Sequence, residues 1–308
     1  MKGLFSARRT RVVVTVSMVF VCLLLVLGSG SALAKPKHGA SRPAKNLPVV
    51  PGSQYLALGD SVTFGYMEAT VVPAPNYGNA AAFPGYPEQL GARLHLSVAN
   101  ASCPGETSSS LINVSAPSNG CENNPAHTSQ NYRDNPLHVK YKGSQLAFAL
   151  SYLRSHHNVR LVTLMIDAND FFVCQETTAD GCASTAERNA TVASVTKNVH
   201  TILSAIRNKA HYNGQLVIVN YYSLNYSAPA VNAQSQLLNT VQDDAAKPFG
   251  VKIADGYGEL QVASEHSGSN TCTAGLLTQL STGGCGIHPS YAGQALLSQA
   301  LEKAIKIG

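Results

Sequence analysis

The chain has 308 residues, of which 44% are hydrophobic and 13% charged: enough for one good-sized domain or two small ones, and too apolar for disorder. Its formal charge of +5 conceals an asymmetry, because eight of the 22 Lys and Arg lie in residues 1–50, which hold no Asp or Glu. Residues 51–308 carry 14 basic and 17 acidic groups, so no basic face for nucleic acid is implied.

In chain order, the first segment is a targeting signal. Arg8, Arg9 and Arg11 precede an apolar run from Val12 to Leu27 and a small-residue stretch ending Ala32-Leu33-Ala34. That order predicts a secretory signal peptide over residues 1–34, cleaved after Ala34, with no stable membrane span afterwards. Cys22 lies inside the apolar run rather than at its end, which argues against a lipoprotein anchor. Residues 35–50 read as a flexible basic linker rich in Pro, and 51–308 as the folded domain of a secreted protein.

Within 51–308, strands and helices alternate. Short strands are predicted at Gln54 to Leu58, Leu96 to Ala99, Val159 to Ile166, Leu216 to Asn220 and Val251 to Ala254. Helical spacing marks Tyr86-Leu90-Leu94, Gln145 to Arg154, Ala186 to Arg207, Asn232 to Lys247 and Ser290 to Lys306. Alternation of this kind predicts a three-layer α/β/α sandwich around a mainly parallel sheet of about five strands, with the active site at the carboxyl ends of the strands. Phe64 to Pro84 and Thr107 to Gly143 are rich in Gly, Pro, Asn and Ser and read as long loops that could shape a cleft.

With Cys22 removed, six cysteines remain. In an exported chain they suggest three disulfides among fifteen possible pairings. Cys103–Cys121, Cys174–Cys182 and Cys272–Cys285 are favoured because each closes a short loop. No CxxC pair or zinc-finger His spacing appears, so no metal site is expected.

Four segments carry candidate chemistry. Ser61 ends an apolar strand in Gly59-Asp60-Ser61, where its hydroxyl stands beyond the sheet edge near the next helix; a helix-capping serine would look the same. Gly105 follows the second strand, where a glycine can offer its backbone N–H without obstruction. Asn169 lies just past the third strand and could donate to an oxyanion, although an Asx-turn is equally favoured there. His288 precedes the last helix, with Pro289 at the helix entrance.

Taken together and in order, LALGDSVTFG, NASCPGET, IDAND and GIHPS closely resemble the four diagnostic blocks of the GDSL/SGNH hydrolase family, over nearly all of the mature domain. The resemblance implies an SGNH-type, flavodoxin-like fold and a serine esterase or lipase that works through an acyl-enzyme and needs no cofactor. Ser61 would be the nucleophile and His288 its base. The Ser61 and Gly105 backbone N–H groups and the Asn169 side chain would form the oxyanion hole. The expected substrate is a small-molecule or lipid ester, or an acylated polysaccharide, met by a monomer. Alternatives are a polysaccharide deacetylase of the same fold and a non-catalytic carbohydrate- or lipid-binding relative.

The sequence departs from the family pattern twice. Cys285 stands where the family has the Asp that orients the catalytic His, so a backbone carbonyl of the Leu280–Gly284 loop is expected to do so, with Asp255 as the second choice. Asp167 stands where the third block has Gly. That is tolerable if its φ is not positive and if its charge points away from the oxyanion or is neutralised.

Overall fold

The computed structural model describes residues 46–308. The signal peptide and most of the 35–50 linker lie outside the described residues. The last linker residues do not behave as a free lead: Val49 is buried, bridges Ile307, and donates its N–H to the Lys306 carbonyl at 2.8 Å.

Five parallel strands form one sheet: β1 (Gln54–Gly59), β2 (Ser97–Asn100), β3 (Val159–Met165), β4 (Gln215–Val219) and β5 (Lys252–Ala254), in the order β2-β1-β3-β4-β5. The central strands are buried almost throughout, as near-continuous apolar runs such as Leu161-Val-Thr-Leu-Met165 require when both faces are covered. The polar member of that run, Thr163, shares a 2.8 Å hydrogen bond with the buried Tyr55 hydroxyl.

The helices are α1 (Ser61–Phe64), α2 (Tyr86–Leu94), α3 (Ser108–Ile112), α4 (Gln145–Ser155), α5 (Ala168–Thr177), α6 (Thr185–Ser204), α7 (Pro229–Ala246), α8 (Gly256–Ser264) and α9 (Tyr291–Ala304). Local chemistry sets many of their ends. Ser144, Ser184 and Ser290 cap α4, α6 and α9 through their side chains, and Pro229 opens α7. Helices α2, α8 and α9 pack together, as do α3 to α7, which gives the layers on the two sides of the sheet.

The five-stranded parallel sandwich agrees with the sequence expectation. Three features differ from it. Helix α5 follows β3 directly, where Asn169 equally favoured an Asx-turn, and helix α8 follows β5, where no element was expected. The long loop after Thr107 opens with the short helix α3, whose Thr107 and Ser110 form a capping box. Finally, His288 lies on a strand rather than in a loop: β6 (Leu277–Gln279) pairs antiparallel with β7 (Cys285–Pro289). Cys272 and Cys285, Cys103 and Cys121, and Cys174 and Cys182 all stand at disulfide distance.

In the strand order, β2 lies on one side of β1 and β3 on the other, so the direction in which successive strands are added reverses at the β1/β3 boundary. The crevice beyond the carboxyl ends of strands at such a switch point is where ligands bind in open α/β sheets.

Candidate active site

Ser61 sits at the first position of α1, immediately beyond β1. The residue capping that helix is Asp60, whose carboxylate accepts the Val62 N–H at 2.9 Å. The serine hydroxyl is therefore not consumed by capping. Its Oγ lies 2.9 Å from His288 Nε2, within reach of direct proton transfer.

The other ring nitrogen of His288, Nδ1, lies 2.8 Å from Oε1 of Glu68. This corrects the expectation for the orienting group: neither the Leu280–Gly284 loop nor Asp255 supplies it. Asp255 is an exposed cap of α8 that accepts the Gly258 N–H. Glu68 also accepts the backbone N–H groups of Ile287 and His288 at 2.7 and 3.1 Å, and the Thr278 hydroxyl at 2.5 Å. Burial alone would raise its pKa, but the hydrogen bond and charge of His288 and the Thr278 bond outweigh it and hold the carboxylate at about 2. Gly286 leaves the room for this contact, since a Cβ there would collide with the Glu68 carboxylate. The Tyr66 ring packs against the imidazole in a T-shaped contact, with centroids 5.0 Å apart.

Gly105 and Asn169 line the same cavity as Ser61 and His288. Gly105 has φ +83°, and a Cβ there would strike the Asn119 carbonyl, so only glycine fits. Asn169 accepts the Asn119 side-chain amide on its Oδ1 at 3.0 Å, so its NH₂ is the donor end; one N–H points to Asp60 Oδ2 at a long 3.5 Å, and the second remains to donate. Asp170 joins the two loops: its carboxyl accepts the Ser108 N–H at 2.8 Å and the Ser108 hydroxyl at 2.6 Å. Gln145 pins the end of β1 by exchanging hydrogen bonds with both the N–H and the carbonyl of Gly59.

Asp167 fails the first condition set for it. Its φ is +126°, a strained region for any residue with a Cβ. Its side chain is fully buried and neither oxygen has a protein hydrogen bond among the described residues. Burial, then the charges of Asp170, Asp60 and Asp243, push its pKa well up, which favours the neutral acid over a charge set against the oxyanion site. Asp60 is likewise raised to about 6 by burial, despite the 2.5 Å bond from the Tyr221 hydroxyl.

The arrangement is thus a hydroxyl, an imidazole and a carboxylate in hydrogen-bonded series beside a cluster of amide donors. The family model for GDSL-like lipases/acylhydrolases matches residues 57–296. The chain belongs to that family. As a member, it is a carboxylic-ester hydrolase. Among solved structures, phospholipase A1 from Streptomyces albidoflavus NA297 is similar at 20% identity and TM-score 0.51, with 82% of this chain and 99% of that one covered. The acetylxylan esterase Axe2 from Geobacillus stearothermophilus is similar at 12% identity and TM-score 0.50, covering 85% and 98%. The enzyme LAE5 from the metagenome of Lake Arreo is similar at 15% identity and TM-score 0.50, covering 83% and 96%. These likenesses are of fold. No curated protein matches the sequence.

Within this GDSL-family frame, sequence reasoning missed Glu68, Asn119 and Gln145, which act on the named residues from distant segments. One signal pointed to Glu68: it is the one charged residue between Asp60 and Glu88.

Proposed function

We propose that this chain is a secreted serine esterase in which Ser61 forms the acyl-enzyme, His288 moves the protons and Glu68 holds His288 in place. The observation that carries the reading is the unbroken series Ser61 Oγ–His288 Nε2 at 2.9 Å and His288 Nδ1–Glu68 Oε1 at 2.8 Å.

In this reading Glu68 accepts a hydrogen bond from Nδ1–H, which keeps that proton on Nδ1 and presents a bare Nε2 to the Ser61 hydroxyl. As Ser61 Oγ attacks the ester carbon, its proton passes to Nε2. The carbonyl oxygen gains the negative charge, facing the Ser61 and Gly105 N–H groups and the Asn169 amide. The tetrahedral adduct collapses, the C–O bond to the alcohol breaks, and Nε2 returns its proton to the departing oxygen. Water then attacks the acyl-Ser61 carbonyl, gives a proton to Nε2, and the acid leaves as Ser61 regains that proton.

Export is supported by the N-terminal signal pattern and by three cysteine pairs at disulfide distance. The test of the mechanism is pre-steady-state hydrolysis of nitrophenyl octanoate. A burst of nitrophenol equal to the enzyme concentration is expected, with none from Ser61→Ala. Steady release without a burst from a serine-independent enzyme would refute it.

A further inference from the structure

The catalytic residues open onto one cavity of about 760 Å³, the size of a pocket for a whole small ligand rather than for an acetyl group. Its walls differ in chemistry. One comes from the segment after β4 and from α7. Val231 and Leu238 are seven residues apart and so share a helix face, and with Leu224 and Tyr222 they make an apolar surface that Phe172 of α5 extends. Another comes from the loop after α3: Asn119, Gln130 and Asn131, with Glu176 of α5 beside them. The buried Asn124 ties this second wall together: the two N–H bonds of its amide are shared among Asn119 Oδ1 and Gln130 Oε1, each at 3.1 Å, and Glu176 Oε2 at 3.3 Å. Asn119 continues the network to Asn169, so the polar wall begins at the oxyanion donors.

Among the described residues that line the cavity there is no Lys or Arg, while Glu176 contributes a carboxylate. Phosphate and carboxylate groups are recognised chiefly by guanidinium, ammonium or convergent backbone N–H donors. Carboxamides, which donate and accept at once, match neutral hydroxyls instead.

Resting on the serine-esterase reading above, we propose that the substrate is an ester of a medium-chain acid with a small neutral polyol, the chain lying on the Leu224–Val231–Leu238 wall and the hydroxyls on the Asn119–Gln130–Asn131 wall. Glycerol and a monosaccharide share this chemistry. An acetyl group leaves the apolar wall wet, and an anionic head meets Glu176 with no cation to offset it.

The test measures kcat/KM on monomeric acetyl glycerol, octanoyl glycerol, octanoyl glucose and octanoyl glycerol phosphate. Octanoyl glycerol or octanoyl glucose is expected to exceed acetyl glycerol by about tenfold or more, given roughly fourfold per buried methylene; the faster of the two names the alcohol. The phosphate ester is expected to fall about tenfold or more below octanoyl glycerol, and Glu176→Lys to narrow that gap. Val231→Trp, which fills the apolar wall from a half-buried position, is expected to lower octanoyl turnover by a clearly larger factor than acetyl turnover. Equal or better cleavage of acetyl glycerol, or of the phosphate ester, overturns the proposal while a Ser61-dependent burst keeps the esterase reading standing. Ester hydrolysis that persists unchanged in Ser61→Ala overturns both.

Discussion

Glu68 and His288, 220 residues apart in the chain, share a 2.8 Å hydrogen bond that replaces the family's usual acid, whose position holds Cys285. The carboxylate reaches the imidazole from the loop after the nucleophile rather than from the strand that bears the histidine. Because it also accepts the Ile287 and His288 N–H groups, it fixes the backbone of β7 together with the ring. Glu68→Gln, which keeps the shape and loses the charge, should lower kcat by up to about 10⁴, the size of effect seen when a triad carboxylate becomes an amide. KM should move little, because Glu68 is absent from the residues lining the cavity. A kcat within twofold of wild type would show that Glu68 is only structural.

The Asn169 side chain offers its NH₂ to the cavity because Asn119 holds its oxygen. Asn169→Ala should cost about 10²–10³ in kcat, and Asn119→Ala a smaller part of that, through orientation alone. Steady-state kinetics on nitrophenyl octanoate check both; a larger loss from Asn119→Ala than from Asn169→Ala would reverse the assigned order.

The residues of the site were unequally legible in the sequence. Ser61, Gly105, Asn169 and His288 could be picked out because each follows a strand or precedes a helix whose apolar period is plain in local sequence. Glu68 could not, because its role depends on a β6–β7 pairing whose short, half-exposed strands carry little pattern: Cys285-Gly-Ile-His-Pro289 alternates weakly and follows two glycines. Helix α5 was hidden for a related reason. It starts in Ala168-Asn-Asp170, residues that favour turns, and is held as a helix by tertiary contacts such as that of Asp170 with Ser108.

Asp167 combines a φ of +126° with a buried carboxyl that has no protein partner among the described residues. Asp167→Gly should relieve both, stabilising the fold by about 1–3 kcal/mol less the added flexibility of glycine. Thermal unfolding checks this, and a lower Tm would mean that the carboxyl makes a stabilising contact.

Stability should fall as pH rises from about 4 to 6. Asp60 and Asp170, both raised by burial, ionise near 3.8 unfolded but only at about 6 in the fold. Between those values the unfolded chain has lost a proton that the fold keeps, so unfolding becomes easier with rising pH. Glu106 is raised by burial and by the charge of Glu122, which prolongs the fall above pH 6. Glu68 acts in the opposite sense: its folded value of about 2 lies below 4.5, so its contribution is complete above 4.5 and is lost as pH falls toward 2. Melting curves should therefore peak at about pH 4 or just below, with Tm declining from there toward pH 6. A Tm that climbs steadily from pH 5 to 8 would contradict the burial of these carboxyls.

The Cys272–Cys285 pair closes the segment that carries His288. Cys272→Ala/Cys285→Ala should lose about 2–4 kcal/mol of stability and lower kcat more than the same change at Cys174 and Cys182, which lie outside the cavity lining. Equal kinetic effects from the two pairs would separate the hairpin from catalysis.

The central claim is that the Ser61 oxygen is made nucleophilic by His288. Mass spectrometry after treatment with a fluorophosphonate tests it most directly. One covalent adduct on the peptide containing Ser61 is expected in the wild type, and none on that peptide in Ser61→Ala or in a folded His288→Ala at equal exposure. An unmodified Ser61 in the folded wild-type protein, or equal labelling in His288→Ala, would contradict it.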